Sequence, residues 1–337
     1  MVRDSLLLKA LRGENISRPP VWFMRQAGRY QASYRKLRQK ISLEEMFHSE
    51  RYIVEVTKLP VEELGVDAAI VFSDILLPFE ALGCSVTYDG GPKVIPGGLP
   101  FKNPSFDFLQ EKFGFLTQSL QTLKRELTVP LIGFCGAPFT LASYLLEKEQ
   151  HHLMKETKRH LYQEPVKFHE LLSLLTDLVI AYAVLQIKAG CDVIQVFDSW
   201  AGVLDEEGFK TCSSFYLKKI VKAIQKLGVP SIVFCRGACS FVQELVDVAP
   251  TAISFDWQRP LTYLKKEVPA SIALQGNLDP DILKAPLPFL EERLCQLLQS
   301  MQGEKRFIFN LGHGVSPDIS EEAVKHAVNY IKAFPCH

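Results

Sequence analysis

Two arginines, Arg25 and Arg29, stand four positions apart in Arg25-Gln26-Ala27-Gly28-Arg29, directly after the apolar run Val21-Trp22-Phe23-Met24. A guanidinium grips a carboxylate through two parallel charge-assisted hydrogen bonds. Two of them turned toward one centre would suit an anion that carries several carboxylates. Gly28 could supply a backbone conformation closed to other residues and so fold both side chains to one side. Arg38, further along, could join them. The alternative is a solvated surface of weak ion pairs, which fits poorly with an apolar segment immediately before it.

Other polar residues follow apolar runs in the same way. Asp74 comes after Ala68-Ala69-Ile70-Val71-Phe72-Ser73. An aspartate placed there leaves water, so it must be paired or must face donors on a ligand. It is either an internal salt bridge, a helix cap, or a charge that stabilises a developing cation. Tyr144 falls on the helix expected from Pro138, where it is either core or a hydroxyl offered to a site. Ser199 follows Phe197-Asp198, as an N-cap or a site hydroxyl. His313 lies between Gly312 and Gly314, and the glycines suggest close backbone approach to a ligand. No metal is expected: Cys235 and Cys239 lack a His or acidic ligand at zinc spacing. Gly133-Phe134-Cys135-Gly136 has no Lys-Ser/Thr after it and is not a phosphate loop. A nucleophile elbow is absent too.

The elements that must position these residues can be read from hydrophobic pattern. Eight short apolar runs recur, at 21–24, 68–72, 130–134, 193–197, 231–234, 252–255, 271–274 and 306–310. They are nearly continuous rather than alternating, as strands buried on both faces are. Helical stretches lie between them. One opens at Glu164-Pro165 and ends at Gly190; others cover 206–227 and about 319–333, the last with Ser320 as N-cap. Alternating strand and helix implies a parallel sheet with right-handed crossovers, and eight strands allow closure. The expected fold class is α/β, a single (β/α)8 TIM-type barrel spanning residues 1–337. An open doubly wound sheet would need a Gly-x-Gly-x-x-Gly fingerprint after a strand, and none occurs. Barrel enzymes carry their sites at the C-terminal strand ends, where Arg25, Arg29, Asp74, Ser199 and His313 fall, with Tyr144 on the next helix. The Gly/Pro-rich loop 89–103 reads as an insertion.

Composition narrows the function. Lys+Arg and Asp+Glu number 38 each, so no basic nucleic-acid footprint exists, and attraction for an anion must be local. Eight scattered cysteines without a Cys-x-x-Cys pair read as reduced, mostly buried thiols of a cytoplasmic protein. The N-terminal apolar stretch is too short for a signal peptide. The longest apolar run, 178–185, falls short of the ~20 residues of a membrane span, so no membrane partner is expected.

Several blocks together resemble the uroporphyrinogen decarboxylase family. Pro20-Val21-Trp22-Phe23-Met24-Arg25-Gln26-Ala27-Gly28-Arg29-Tyr30 is similar to its N-terminal signature, and Gly133-Phe134-Cys135-Gly136-Ala137-Pro138-Phe139-Thr140-Leu141 to its second. Phe72-Ser73-Asp74-Ile75-Leu76, Phe197-Asp198-Ser199-Trp200-Ala201-Gly202, Leu274-Gln275-Gly276-Asn277-Leu278-Asp279-Pro280 and Asn310-Leu311-Gly312-His313-Gly314 match further blocks. The resemblance implies a (β/α)8 barrel, a homodimer, and work in tetrapyrrole (heme) synthesis. The reaction it implies is decarboxylation of the four acetates of uroporphyrinogen III to methyls, giving coproporphyrinogen III and carbon dioxide, without metal or organic cofactor. It places Arg25, Arg29, Arg38, Asp74, Tyr144, Ser199 and His313 on the family's substrate-binding positions, with Asp74 and Arg25 as catalytic groups. Two departures stand out: Gln31-Ala32 where the family often has Leu-Pro, and Arg236-Gly237-Ala238-Cys239 where it often has Lys-Gly-Gly. Two rival readings fit less well. A zinc-dependent corrinoid methyltransferase on this barrel needs a His-x-Cys pair, and Phe234-Cys235-Arg236 lacks the His. A non-catalytic tetrapyrrole-binding protein would be expected to lose Asp74, which is present.

Overall fold

Seven parallel strands form one curled sheet in the order β1-β4-β5-β6-β7-β8-β9. They are β1 (Ala69–Ile70), β4 (Leu131–Gly136), β5 (Val193–Phe197), β6 (Ser231–Phe234), β7 (Ala252–Ser254), β8 (Ala273–Leu278) and β9 (Phe307–Leu311). A separate antiparallel hairpin, β2 (Ser85–Thr87) with β3 (Lys93–Ile95), occupies the insertion after β1. This computed structural model describes residues 2–98, 105–147 and 153–334. Residues 99–103 of the insertion and Cys336 lie outside the described residues.

The two edges of the sheet meet at Val21. Phe309 N–H donates to Pro20 O at 2.9 Å, and Asp67 N–H donates to Val21 O at 2.8 Å. Val21 also bridges Phe309 in parallel. This segment is the eighth stave of the (β/α)8 barrel. It is far shorter than the 21–24 strand expected from its apolar residues, for a local reason. Pro19 and Pro20 offer no N–H, and Val21 N–H turns to Asp67 Oδ2 at 2.8 Å instead of a strand carbonyl. Arg18 holds that carboxylate in a fork at 2.6 and 2.8 Å. From Phe23 on, the chain is already turning.

Other boundaries also shift. The strand expected at 271–274 starts later and runs on: β8 begins at Ala273 and continues to Leu278, so Gln275, Gly276 and Asn277 belong to it and not to the loop after it. The strand tolerates them because the barrel bore satisfies them. Trp22 Nε1–H donates to Gln275 Oε1 at 3.0 Å, and Gln275 Nε2 reaches Ser254 Oγ at 2.9 Å and Gln195 Oε1 at 3.2 Å. The helix expected over 206–227 is interrupted. It runs Glu206–Phe209, then a π-turn Lys210–Ser214, then Phe215–Gln225. The helices Pro165–Ala189, closed by Gly190, and Glu321–Ala333, capped by Ser320, form as read.

Two clusters make up most of the core, beside a small one around Tyr34, Met46 and Val56. Below the polar layer of the bore, Trp22, Ile132, Val193, Ile232, Ala252, Ala273 and Ile308 pack against Leu7, Leu8 and Leu11 of the N-terminal helix Leu6–Arg12. That helix plugs the N-terminal end of the barrel and leaves the C-terminal end open. The larger cluster lies between strands and outer helices. The helix Pro165–Ala189 is long and apolar enough to cross a membrane by length and composition. Phe168, Leu172, Leu175, Val179 and Tyr182 on it are buried against this outer cluster.

Candidate active site

Arg25 is presented by a pinned turn. Gln26 is fully buried; its Oε1 accepts from Phe23 N–H at 3.1 Å and its Nε2 donates to Ala68 O at 3.0 Å. Gln26 N–H closes the turn on Phe23 O. Arg25 itself takes the left-handed conformation, with φ 57°, which costs free energy for a residue with a Cβ. Gly28 was expected to carry the unusual backbone; the structure places it three residues earlier, on Arg25, because the Gln26 anchor fixes the turn there. The stem of Arg25 lies across Gly314, where an added Cβ would fall 2.7 Å from Arg25 Cγ. An added Cβ on Gly312 would fall 2.7 Å from Trp257 N. The glycines beside His313 thus make room for protein atoms, where a close approach to ligand was expected.

Asp74 lies at the mouth, a few residues past the end of β1. It is not in an ion pair among the described residues. Its Oδ1 accepts from Leu76 N–H at 2.8 Å, and the Tyr88 hydroxyl donates to the carboxylate. Asp74 keeps part of its surface open while protein packs densely around it, as the floor of a cleft does. Burial raises its pKa above the usual aspartate value, against the opposing pull of Leu76 N–H, Arg25 and Tyr88. A ligand that brings N–H donors or positive charge would relieve that burial.

Tyr144 stands in the last turn of the helix Pro138–Leu146, half-buried, and feels both Asp74 and Arg25. Trp200 Nε1–H donates to its hydroxyl, and the two rings meet edge to face at 6.3 Å. Trp200 is set in turn by a buried brace. Asp198 accepts from Thr140 Oγ1 at 2.7 Å and from the Ser213 hydroxyl, and Trp200 N–H donates to Thr140 Oγ1 at 3.1 Å. Burial pushes the Asp198 carboxyl up to about 6. Ser213 reaches it from the π-turn, so the irregular helix serves the brace. Ser199, between Asp198 and Trp200, caps no helix; its hydroxyl has no partner among the described residues.

His313 lies beyond β9 and reaches across to Phe234 at the end of β6, ring to ring at 6.1 Å. Burial, Arg25 and Arg236 together lower its pKa to about 4, so it is uncharged at neutral pH. Arg25, Asp74, Tyr144 and His313 therefore share one electrostatic neighbourhood. Arg29 and Arg38 flank Tyr34 beside it, and an aromatic chain links Tyr34 through Phe72 and Phe47 to Tyr88. Arg38 spends one N–H on Ile41 O at 2.6 Å.

Gln26, Tyr88, Trp200 and Arg236 are additions to the sequence-derived set. Tyr88 sits in the insertion hairpin, where no periodicity marks it, and Gln26 acts through a contact 42 residues away. Trp200 and Arg236 do stand at strand ends. Among the described residues no group of three His, Cys, Asp or Glu side chains is placed to hold a metal ion.

Comparison with known proteins adds the following. The family model described as uroporphyrinogen decarboxylase matches residues 3–334. A uroporphyrinogen decarboxylase of Protochlamydia amoebophila is 46% identical over 331 residues, covering 97% of this chain and 91% of its own. That of Thermus thermophilus is 38% identical over 336 residues, covering 98% of both. Among solved structures, a methyltransferase from Methanosarcina mazei superposes with a TM-score of 0.81 at 19% identity, over 97% of this chain and 98% of that one. At that identity the likeness speaks for the barrel alone.

Proposed function

The chain belongs to the uroporphyrinogen decarboxylase family, and on that premise we propose how this enzyme decarboxylates its tetrapyrrole. The observation that carries the proposal is the pairing of one half-open carboxylate, Asp74, with the Arg25 and Arg29 guanidiniums, which have no acidic hydrogen-bond or ion-pair partner among the described residues. A cyclic tetrapyrrole offers the complement, pyrrole N–H groups at its centre and carboxylates at its rim.

Loss of carbon dioxide from a pyrrole acetate leaves an electron pair on the methylene carbon that stays attached to the ring. Protonation of the pyrrole ring first makes a cation that accepts this pair. A second proton on the exocyclic carbon then gives the methyl, and loss of the ring proton restores the pyrrole. Asp74 accepts the pyrrole N–H groups and stabilises the ring cation electrostatically. Those donors and that charge oppose the burial that raises its pKa. Arg25 and Arg29, with Arg38 at the edge, hold carboxylates and orient the reacting acetate. Arg25, or a water held beside it, supplies protons. Tyr144, Ser199 and neutral His313 hydrogen-bond further carboxylates. The site residues present are sufficient for this chemistry without a metal or organic cofactor, and the protein acts as a cytoplasmic homodimer with residues 1–337 as one domain. An anaerobic assay with uroporphyrinogen III tests the reading: stepwise conversion to coproporphyrinogen III with release of carbon dioxide supports it, and no conversion overturns it. Light scattering in solution checks the dimer.

A further inference from the structure

The loop after β6 carries an arginine that family resemblance does not assign. Among the arginines whose side chains are described, Arg25, Arg29 and Arg236 have neither a hydrogen-bond acceptor nor an ion-pair partner. The rest are engaged, as Arg18 is with Asp67, Arg35 with Tyr30 O and Arg306 with Leu11 O. Two of the three unpartnered guanidiniums are the pair already placed at the mouth. Arg236 is exposed and lies two residues past Phe234, whose ring meets His313.

Its backbone is held from both sides. Gly202, on the loop after β5, packs directly on Arg236 O, and a side chain there would collide with it. On the other side the buried Asp256 accepts from Gly237 N–H and Cys239 Sγ–H, and from Gln258 N–H at 3.1 Å. In the ring of eight staves, β6 is four places from the Val21 segment. The loops bearing Arg25 and Arg236 thus leave opposite sides of the mouth, with His313 between them. A flexible charged side chain on so fixed a base is preorganised to meet an anion.

We propose that Arg236 is a further substrate-binding residue, which grips a peripheral carboxylate of the macrocycle across the mouth from Arg25 and so sets its orientation. The proposal rests on the decarboxylase reading and extends it. The carboxylate is an acetate or a propionate of a pyrrole. The two are separable, because coproporphyrinogen keeps only propionates.

The test uses full-length enzyme, with Arg236→Ala and Arg236→Lys, under anaerobic conditions. Wild-type turnover of uroporphyrinogen checks the underlying reading independently; if it is absent, that reading fails before Arg236 is at issue. Given turnover, Arg236→Ala should raise KM about 10-fold or more, the loss of a charge-assisted hydrogen-bond pair. Arg236→Lys should restore much of it, and the thermal midpoint should not move. A matching loss of affinity for coproporphyrinogen assigns the contact to a propionate; unchanged coproporphyrinogen affinity assigns it to an acetate. An unchanged KM in Arg236→Ala overturns the proposal. So does a KM increase that tracks a lower thermal midpoint and is not restored by Lys, since that makes the residue part of the fold.

Discussion

His313 shows how single residues divide the work in the cleft. Two guanidiniums and burial keep its ring neutral, with a pKa lowered from 6.5 to about 4. It can donate or accept a hydrogen bond but adds no charge to an already cationic rim. NMR of its ring should give a titration midpoint near 4; a midpoint near 6.5 would contradict the arrangement. Protonation favours the unfolded chain, so this residue costs stability as pH falls from about 6.5 through about 4. Arg25, Asp74 and His313 were legible in the sequence because each follows an apolar strand, and Tyr144 because it falls on the helix expected from Pro138. The strained backbone was not, since the Gln26 contact with Ala68 O that imposes it is distant along the chain.

At the scale of elements, Asp198 joins three of them: β5, the helix Pro138–Leu146 through Thr140, and the π-turn Lys210–Ser214 through Ser213. Replacing Asp198 by Ala orphans two buried hydroxyls and should cost about 3 kcal/mol in urea unfolding. A variant as stable as wild type would show that the brace carries no strain-bearing role. Its raised pKa predicts a second behaviour. Folding favours the protonated acid, so this residue's contribution is present below about 3.8 and is lost as pH rises through about 6. Asp198→Asn should remove that component from the pH dependence of unfolding. Sequence periodicity marked a helix over 206–227, but a π-turn breaks no apolar pattern, so the register change that brings Ser213 to Asp198 left no trace in it.

For the whole molecule, the site depends on closure of the barrel. Eight strands were evident from eight apolar runs, yet the seam itself is made by Asp67, which binds Arg18 and Val21 N–H at once. That residue lies outside every run, and only the closed ring gives it a purpose. Asp67→Ala should lower unfolding free energy by about 2 kcal/mol, through a mostly buried ion pair and a backbone donor left unmatched; unchanged stability would mean that the ring closes without it. Closure in turn sets the polar end opposite the plugged one and brings loops from both sides of the ring around Asp74. The claim that joins these scales is that Asp74 supplies the charge for decarboxylation while the arginines position the substrate. It is tested most directly by measuring anaerobic turnover of uroporphyrinogen III by Asp74→Asn, alongside its affinity for coproporphyrinogen. The account predicts a fall in kcat of at least about 100-fold with product affinity largely kept. Near-normal kcat in that variant would contradict it.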